Sequence, residues 1–431
     1  MVDPLLVINI IIIFLMAVAM FRKIRHRPLA KYFFPGLVIK LVAGVCLGLL
    51  YILYYRGGDT IMYHEDGMRL SRALYDAPWQ YIQILLYNSQ ANDVWETLKL
   101  TDQPRAFFVA KIVGVLHVLT NGNYWITGFY FSFFAYSGLW TLADKLSTYF
   151  PWTRFASIVA FIFFPSVVFW SSGVTKEAIA IGLLAWTVAL YIPMIAQGKL
   201  IHKRKMLLSF FLLFFLWVVK YYYAAVLVAV LAPTLIVGML KNSKAGLHLS
   251  INRQMLYWVS FFVWFVVLAS FLHPNLRLDN IMEVIVSNHD LFVSISSPED
   301  LIHFDNFSPK FTSLIVNLPK AIWAGLFQPL PWEVSNFPRN IAAGENLVVL
   351  ILALFGSISL FRFNISNNGI LIVVILVYIL ILASFLTLST PNIGTLARYK
   401  SAFLPFLIYI SLADPVFKRF IKYKREIPER D

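Results

Sequence analysis

Long apolar runs constrain the fold of this chain more than any other feature. A transmembrane helix needs about 20 mostly apolar residues, and the sequence contains many runs close to that length. Of the 431 residues, 59% are hydrophobic and 13% are charged, which is about half the charged fraction of an average soluble protein. We therefore expect an all-α integral membrane protein.

The apolar runs predict about eleven transmembrane helices. The predicted spans are 5–21, 36–55, 124–142, 155–171, 177–195, 206–219, 223–240, 255–272, 346–361, 368–388 and 400–414. Two of them, 206–219 and 223–240, are together too long for one helix across a bilayer. Lys220, followed by three tyrosines, predicts a turn between these two spans. The first run lacks a basic segment and a cleavage site, so we interpret it as a retained span rather than a signal peptide.

The basic residues set the expected orientation in the membrane. They form short blocks between apolar runs, such as FRKIRHR, KLIHKRK and FKRFIKYKR. These blocks fall in alternate loops, which is typical of the cytoplasmic side. Cytoplasmic loops, rather than nucleic-acid binding, thus account for the net charge of +14. We expect the N-terminus outside and the C-terminus inside.

This orientation predicts one polytopic domain with two large outer-face loops that contain amphipathic helices. The expected parts are an extra N-terminal span with a basic cytoplasmic loop (1–35), a transmembrane domain (36–415) with outer loops 56–123 and 273–345, and a basic cytoplasmic tail (416–431).

One short apolar segment, 107–120, complicates this count. It contains Lys111 and His117, and counting it as a span would reverse the orientation of every later loop. We expect it to be an amphipathic helix that lies at the outer surface or dips in from it. The alternative is a short span, compensated by a missed span elsewhere.

The segment YYRGGDTIMYHEDG, residues 54–67, places several charged residues directly after a span. The polar residues of interest here are Arg56, Asp59, Tyr63, Glu65, Asp66 and Arg69. If a helix begins near Thr60, then Asp59, Tyr63 and Asp66 share one face of it. Alternatively, Asp59 or Thr60 only caps that helix, which leaves the preceding pair of glycines unexplained.

A second polar cluster lies in the turn FWSSGVTKEA between two predicted spans. Lys176 and Glu177 are adjacent there. They form either a solvated cap with a local ion pair, or a cation and a carboxylate placed beside the first cluster.

A third cluster, ARYKSAFLP, directly precedes the last predicted span. The guanidinium of Arg398, next to Tyr399, suits the phosphate of a lipid, because it is planar, permanently charged and offers paired donors. The alternative is that Arg398, Tyr399 and Lys400 only anchor the helix at the interface.

Ionisable residues within the spans are sparse. Lys40 and Lys220 lie near predicted span ends, where a long side chain can snorkel to the interface. The tyrosines after Lys220 favour an aromatic belt. The histidines show no paired metal-ligand spacing, and no Gly-rich phosphate loop or serine-nucleophile motif occurs.

The order of these motifs resembles one family. An outer acidic GGDTIMY follows a span, then come QPRAFFVAKIVGVLHVLTNGNYW, the turn FWSSGVTKE and, before the final span, ARYKSAFLP. Over residues 36–415 this resembles the GT-C superfamily of polytopic glycosyltransferases, especially the bacterial members akin to protein O-mannosyltransferases and aminoarabinose transferases.

The resemblance implies an inverting transfer of a sugar from a polyprenyl-phosphate donor to a lipid, glycan or protein acceptor at the outer face. It also implies a location in the bacterial inner (plasma) membrane, with the active site facing the periplasm or exterior. Asp59 stands where the family has its catalytic base. Many relatives have two acids separated by one residue, whereas Glu65 and Asp66 follow six and seven positions later and are the next candidates. The expected substrate-binding residues are Arg398, Tyr399, Lys176, Glu177, Tyr63, Arg56 and Lys220.

The same resemblance bears on cofactors and on rival functions. Lys176 and Glu177 stand where metal-using members have aspartates, so we expect no metal cofactor. One alternative is a polymerase or ligase of lipid-linked surface polysaccharide, which also uses arginines in outer loops. A less favoured alternative is a flippase or transporter of lipid-linked sugars, because charged residues that would line a path are scarce in the spans.

Overall fold

The protein is helical throughout the part of the chain that the computed structural model describes, namely residues 4–90, 93–198, 201–241, 250–272, 277–334, 337–362 and 369–413. The helices are α1 (Pro4–Ile24), α2 (Phe33–Leu49), α3 (Asp59–Asp76), α4 (Pro78–Tyr87), α5 (Asp93–Thr97), α6 (Pro104–Thr120), α7 (Tyr124–Tyr149), α8 (Arg154–Ile158), α9 (Pro165–Trp170), α10 (Lys176–Gln197), α11 (Lys203–Lys241), α12 (Ile251–Leu272), α13 (Leu278–Ile295), α14 (Phe311–Phe327), α15 (Phe337–Arg362), α16 (Gly369–Ser389), α17 (Ile393–Tyr399) and α18 (Leu404–Leu412). In these residues the only β-type pairing is an isolated bridge between Leu301 and Asn392. The all-α prediction is confirmed.

Seven helical stretches in the described residues are long and apolar enough to cross a membrane. They are Pro4–Ile24, Ala30–Tyr55, Lys176–Gln197, Lys203–Lys241, Ile251–Leu268, Arg339–Ser357 and Ile370–Ser389. An eighth is reached if α6 and α7, which meet at an angle of 118°, form one broken span. The structure thus supports a membrane protein, but it does not confirm the predicted count of about eleven spans.

Interruptions within the predicted spans explain part of the difference between the predicted and the observed number of spans. The predicted span 155–171 is interrupted before Pro165, because Phe164 adopts an extended conformation, as residues before proline tend to do. The predicted spans 206–219 and 223–240 belong to one long element, α11, whose helical conformation is broken at Lys220 (φ −146°, ψ 79°). The predicted break at Lys220 is therefore present. In the described part of the last predicted span, residues 400–413, a 3-10 helix (Lys400–Ala402) precedes the short helix α18.

The described residues fall into two compact units. The first lies within residues 1–145, 161–193 and 200–228, and the second within 146–160, 194–199 and 229–431. In the first unit α3 packs closely along α6. A Cβ atom added to Gly67 would lie 2.5 Å from Cγ1 of Val113, and one added to Gly114 would lie 2.9 Å from Cβ of Leu70. Glycine at both positions therefore permits the close approach of these two helices.

The N-terminal helix α1 is tied to the same unit through a buried polar side chain. The Asn9 amide donates to the carbonyl oxygen of Leu119 at 3.0 Å, and the Tyr130 hydroxyl donates to Asn9 at 2.7 Å. A buried asparagine with both ends of its amide bonded fixes the register of a helix. The extra N-terminal span is thus attached to α6 and α7.

In the second unit α13, α14 and α16 surround a small core of Ile285, Ala321 and Leu388. The loop that follows α16 is held by backbone and side-chain bonds. Ile302 N–H donates to the Pro391 carbonyl at 2.7 Å, and the Asn392 side chain donates to Ser296 at 3.0 Å. Together these contacts position the start of α17.

Candidate functional site

The loop between α2 and α3 explains the sequence RGGD. The last turn of the α2 span, Leu50–Tyr55, is a π-helix. Arg56, Gly57 and Gly58 then have φ values of 51°, 157° and 107°, and a Cβ on Gly58 would lie 2.9 Å from the Tyr51 ring. Such conformations cost energy and cluster at functional sites, as π-helical turns also do. The loop directs the chain sharply from α2 into α3.

Asp59 is the first helical residue after this loop and is partly exposed. Gly58 occupies the N-cap position, and the Thr60 hydroxyl is hydrogen-bonded to the Tyr124 hydroxyl at 2.6 Å. Neither Asp59 nor Thr60 is therefore the N-cap residue that the capping interpretation requires. A carboxylate in the first turn is still favoured by the helix dipole.

Asp66, two turns further along α3, has a different environment. Its side chain is fully buried (0% exposed) and accepts the backbone N–H groups of Lys99 and Leu100 at 3.0 and 2.9 Å. Arg69 adds an ion pair at 2.8 Å. A carboxylate that accepts several N–H bonds fixes its neighbours. Asp66 thus holds the segment before α6 against α3, which makes it a weaker candidate for a base than Asp59.

Glu65 lies on the surface of the same helix. Its carboxylate pairs with the Lys99 ammonium at 2.6 Å, and both side chains are well exposed. The hydrogen bond from Lys99 lowers the pKa of Glu65. Arg56, which precedes the glycines, is also exposed.

The turn that precedes α10 is not a solvated outer loop. Residues 171–175 are buried and pack against α2: the Ser172 hydroxyl donates to the Lys40 carbonyl at 3.2 Å, and the Lys40 ammonium donates to Ser171 and to the Val168 carbonyl. The interpretation of Lys40 as a snorkelling residue was wrong. A charge this far from a helix end requires polar partners, and the FWSSG sequence supplies them.

Lys176 and Glu177 follow this turn and point to different partners. The Lys176 ammonium lies 5.8 Å from the ring centroid of Tyr63, on the Asp59 face of α3. This agrees with the alternative that places a cation beside the first cluster. Cation–π contacts of this length are favourable where water is excluded.

The Glu177 carboxylate pairs with the Lys220 ammonium at 2.9 Å, and the two side chains are 2% and 6% exposed. Lys220 also donates to the Tyr222 hydroxyl at 3.0 Å. The snorkelling interpretation of Lys220 was therefore wrong as well. The helical break at Lys220 turns its side chain to Glu177, and burial of both charges is possible because they neutralise each other.

An apolar groove of about 890 Å³ lies in the same unit. It is lined by five helices, α1, α6, α7, α10 and α11, and its wall is almost entirely apolar. The lining residues are Met16, Ala19, Met20, Lys23, Phe108, Ile112, Val115, Leu116, Tyr130, Phe131, Phe133, Phe134, Ser137, Ile179, Leu183, Trp186, Phe215 and Val219. Ile179 and Val219, which line the groove, are within two residues of Glu177 and Lys220 in the sequence.

An arginine one turn before the groove residue Phe108 was missed by sequence reasoning. Arg105, exposed in the first turn of α6, has its guanidinium carbon 4.1 Å from the ring centroid of Tyr221. One turn further along, Phe108 and Phe215 stack at the groove wall. Arg105 occurs in the quoted QPRAFF sequence, but only the pairing of α6 with α11 shows that it lies near the groove.

Two histidines form a further contact that the sequence did not indicate. His64 Nδ1 and His117 Nε2 are 2.9 Å apart, and His117 Nδ1 is 3.0 Å from the Thr127 hydroxyl. These residues lie 53 positions apart in the chain, so no local spacing predicts the pair.

Arg398 and Tyr399 lie in the second unit, at the end of α17. Asn392 caps this helix by accepting the Thr395 N–H at 2.9 Å. The Arg398 guanidinium carbon is 5.4 Å from the Tyr399 ring centroid, and both side chains are partly exposed. Lys400 is buried and donates to the Gln328 carbonyl at 2.6 Å. Lys400 thus has an internal partner, and Arg398 is partly exposed.

The apolar helices define an all-helical membrane protein. Comparisons with protein-family models, with curated proteins and with solved structures find no match to this chain. Among the described residues no group of three or more His, Cys, Asp and Glu side chains is placed to hold a metal ion.

Proposed function

We propose that this chain is an inverting glycosyltransferase that moves a sugar from a polyprenyl-phosphate donor to an acceptor at the outer face of the membrane. One observation carries the proposal: a partly exposed carboxylate, Asp59, and a cation near its helix face, Lys176, lie in the same unit as an apolar groove. A lipid with an anionic headgroup needs an apolar surface and a cationic one, because burial of its chain is favourable and its phosphate pairs with cations.

A chain of contacts links the carboxylate to the groove. Asp59 shares a helix face with Tyr63, and Lys176 lies over the Tyr63 ring. The next residue, Glu177, pairs with Lys220, which is adjacent to Val219 in the groove wall. A phosphate bound by Lys176 would therefore lie near the Asp59 end of α3, with the lipid chain in the groove.

The reaction assigned to this arrangement is a single displacement. The acceptor hydroxyl oxygen attacks the anomeric carbon, the bond from that carbon to the phosphate oxygen breaks, and polyprenyl phosphate leaves with the electron pair. Asp59 takes the hydroxyl proton, a role that contributes about 10²–10⁴-fold to a rate. Cationic side chains stabilise the charge that develops on the leaving phosphate.

Donor turnover tests the proposal. Purified protein in liposomes is incubated with a panel of radiolabelled polyprenyl-phosphate sugars, and release of polyprenyl phosphate is measured with candidate acceptors present. We expect protein-dependent release and an inverted anomeric configuration in the product. Movement of an intact donor across the bilayer without release would favour the flippase instead, and extension of a lipid-linked glycan would favour the polymerase or ligase.

Donor affinity tests the cation beside the Asp59 face of α3. Lys176→Gln should weaken binding of the donor about 10-fold, as expected for loss of one charge-assisted hydrogen bond. Arg72→Gln removes a charge from an exposed position on α3 and is the matched control. Equal losses in both variants would show that the effect is only one of net charge.

A donor series of increasing chain length tests the groove itself. Met20 of α1 lines it and is partly exposed, so Met20→Trp should narrow it. We expect weaker binding of long-chain donors and unchanged binding of donors with one or two prenyl units. A loss that does not depend on chain length would place the lipid elsewhere.

Arg398 stays a prediction for phosphate binding. Arg398→Ala should weaken donor binding more than acceptor binding, and Arg398→Lys should restore it only in part, because an ammonium lacks the paired donors of a guanidinium. Equal donor affinity of wild type and both variants would make Arg398 an interfacial anchor.

A further inference from the structure

A small cavity lies between α5 and the first half of α6, in the first unit. Its volume is about 350 Å³, at the lower end of the range of about 300–1,000 Å³ that is typical of small-molecule sites. Asn88, Gln90 and Pro104 line it and are exposed, so the cavity opens to the protein surface. We call it the Trp95 cavity, after the partly exposed aromatic residue of α5 that lines it.

The wall of the Trp95 cavity combines polar groups with aromatic rings. It shares Phe108 with the apolar groove, but the chemistry of the two walls differs. The residues that line the cavity include Asn88, Gln90, Trp95, Thr101, Phe107 and Lys111. The Trp95 and Phe107 rings pack edge to face, with their centroids 5.2 Å apart. An aromatic surface with a few placed polar groups is the usual composition of a binding site for a small molecule.

Lys111 brings a positive charge to this wall. Its ammonium donates to the Leu85 carbonyl at 2.9 Å and to the Asn88 side-chain oxygen at 2.6 Å. An ammonium has three N–H donors, so one remains beyond these two bonds. Both acceptors are neutral, and within the described residues Lys111 forms no salt bridge. Because partly buried charges are usually paired, a ligand with an anionic group would complete this site.

The aromatic wall favours a sugar ring as the carrier of that anionic group. One face of a sugar ring consists of C–H groups, which pack against aromatic rings because the faces of those rings carry negative charge density. The hydroxyls at the edge of the sugar ring can bond to the amide and hydroxyl side chains of Gln90 and Thr101. A small inorganic anion would leave Trp95 without contact. One ammonium also matches the single charge of a carboxylate better than the nearly double charge of a phosphate monoester.

We propose that the Trp95 cavity is a binding site for a sugar ring that carries a carboxylate. Lys111 pairs with the carboxylate, and the ring packs against Trp95. No bond is made or broken in this site, and the inference does not depend on the proposed function.

Binding of matched sugars tests the site. The full-length protein in lipid nanodiscs is titrated with methyl glucuronide, with methyl glucoside and with inorganic phosphate, and dissociation constants are measured by ligand-observed NMR. We expect methyl glucuronide to bind about 10-fold more tightly than methyl glucoside, as expected for one charge-assisted hydrogen bond. Inorganic phosphate at equal concentration should not displace it. Equal affinity of the two sugars, or displacement by phosphate, would overturn the proposal.

Two pairs of variants locate the binding. Lys111→Gln removes the cation, so it should lower the affinity for methyl glucuronide about 10-fold, to that for methyl glucoside. Arg72→Gln, at an exposed position of α3, should leave both affinities unchanged. Trp95→Leu removes the aromatic surface and should weaken both sugars about 10-fold. Trp79→Leu, at a position of α4 where the tryptophan is 68% exposed, is its control.

A further variant keeps the test independent of folding, because Lys111 also holds the end of α4. Gln90 is exposed at the cavity, so Gln90→Ala should keep the unfolding temperature and weaken both sugars about 3-fold, as expected for one neutral hydrogen bond. Wild-type affinity for methyl glucuronide in Lys111→Gln, or in both Trp95→Leu and Gln90→Ala, would overturn the proposal. Donor turnover is not measured in these experiments, so failure of this site and failure of the proposed function are separate outcomes.

Discussion

Two carboxylates on one face of α3 illustrate how the surroundings of a side chain decide whether it is suited to catalysis or to holding the structure together. Asp59 begins the helix after three residues with positive φ and is partly exposed. Asp66 lies two turns later, is fully buried and is bonded by two backbone N–H groups and an arginine. A base must be exposed enough to meet a substrate proton, whereas a carboxylate that is fully buried and bonded inside the protein holds structure. The same side chain type thus has two expected roles within eight residues.

The largest expected effect is that of Asp59→Asn on transfer. Loss of the general base should lower the rate about 10²–10⁴-fold, while unfolding temperature and membrane insertion stay unchanged because the side chain has nearly the same shape. Turnover of the donor by purified protein measures the first, and thermal unfolding in detergent measures the second. Near-normal turnover by the Asp59→Asn variant would contradict the different roles assigned to Asp59 and Asp66.

Asp66→Asn should show the opposite pattern. An amide keeps one acceptor oxygen but loses the charge that binds Arg69 and strengthens the two N–H bonds, so we expect a loss of about 3 kcal/mol in folding free energy. Thermal unfolding should shift down by several degrees, and activity per folded molecule should be largely retained. An Asp66→Asn variant that is fully stable but inactive would indicate that Asp66, rather than Asp59, is the base.

Gly58→Ala tests the loop that places Asp59. A side chain at φ 107° is strained, and its Cβ would meet the Tyr51 ring, so we expect a cost of about 1–3 kcal/mol. Displacement of Asp59 should lower transfer at least about 10-fold. Gly344→Ala is the control, because a Cβ there meets no atom of the described residues within 4 Å. Equal behaviour of the two variants would show that the loop geometry is not required.

Glu65→Gln should have the smallest effect, although Glu65 lies directly beside Asp66. Its pair with Lys99 is exposed, and such pairs contribute less than about 1 kcal/mol. Because Lys99 lowers the pKa of Glu65, this small contribution is present above the pKa of an unfolded glutamate. It is lost as pH falls through the lower folded value. A large loss of activity in Glu65→Gln at neutral pH would make Glu65 the base.

Much of the fold could be predicted from composition and local pattern. Apolar runs predicted the helices, the RGGD sequence predicted the start of α3, and Lys220 predicted the break in α11. These features depend on residues close in sequence. The number of spans could not be predicted from hydropathy alone. The apolar run 155–171 looks continuous but is interrupted before Pro165. The helices α6 and α7 look like separate segments, but they meet at an angle of 118° and can form one broken span.

Residues of the candidate site could be predicted only where they occur in a short sequence motif. Asp59 and Lys176 came from short sequence patterns, and Lys176 does lie near Tyr63. The partners of Lys40 and Lys220 were not predicted. The sequence around a lysine in an apolar run is the same whether its side chain snorkels to the interface or pairs with a buried group. The histidine pair and the position of Arg105 depend on which helices pack together, and no local pattern encodes that.

Donor binding by the Asp59→Asn variant tests the central claim most directly. If Asp59 acts on the acceptor proton, while Lys176 and the groove bind the donor, the variant should bind a polyprenyl-phosphate sugar with wild-type affinity and transfer it about 10²–10⁴-fold more slowly. Equilibrium binding of the labelled donor and a single-turnover assay on the same sample measure both. Loss of donor binding together with transfer, or transfer at the wild-type rate, would contradict the account.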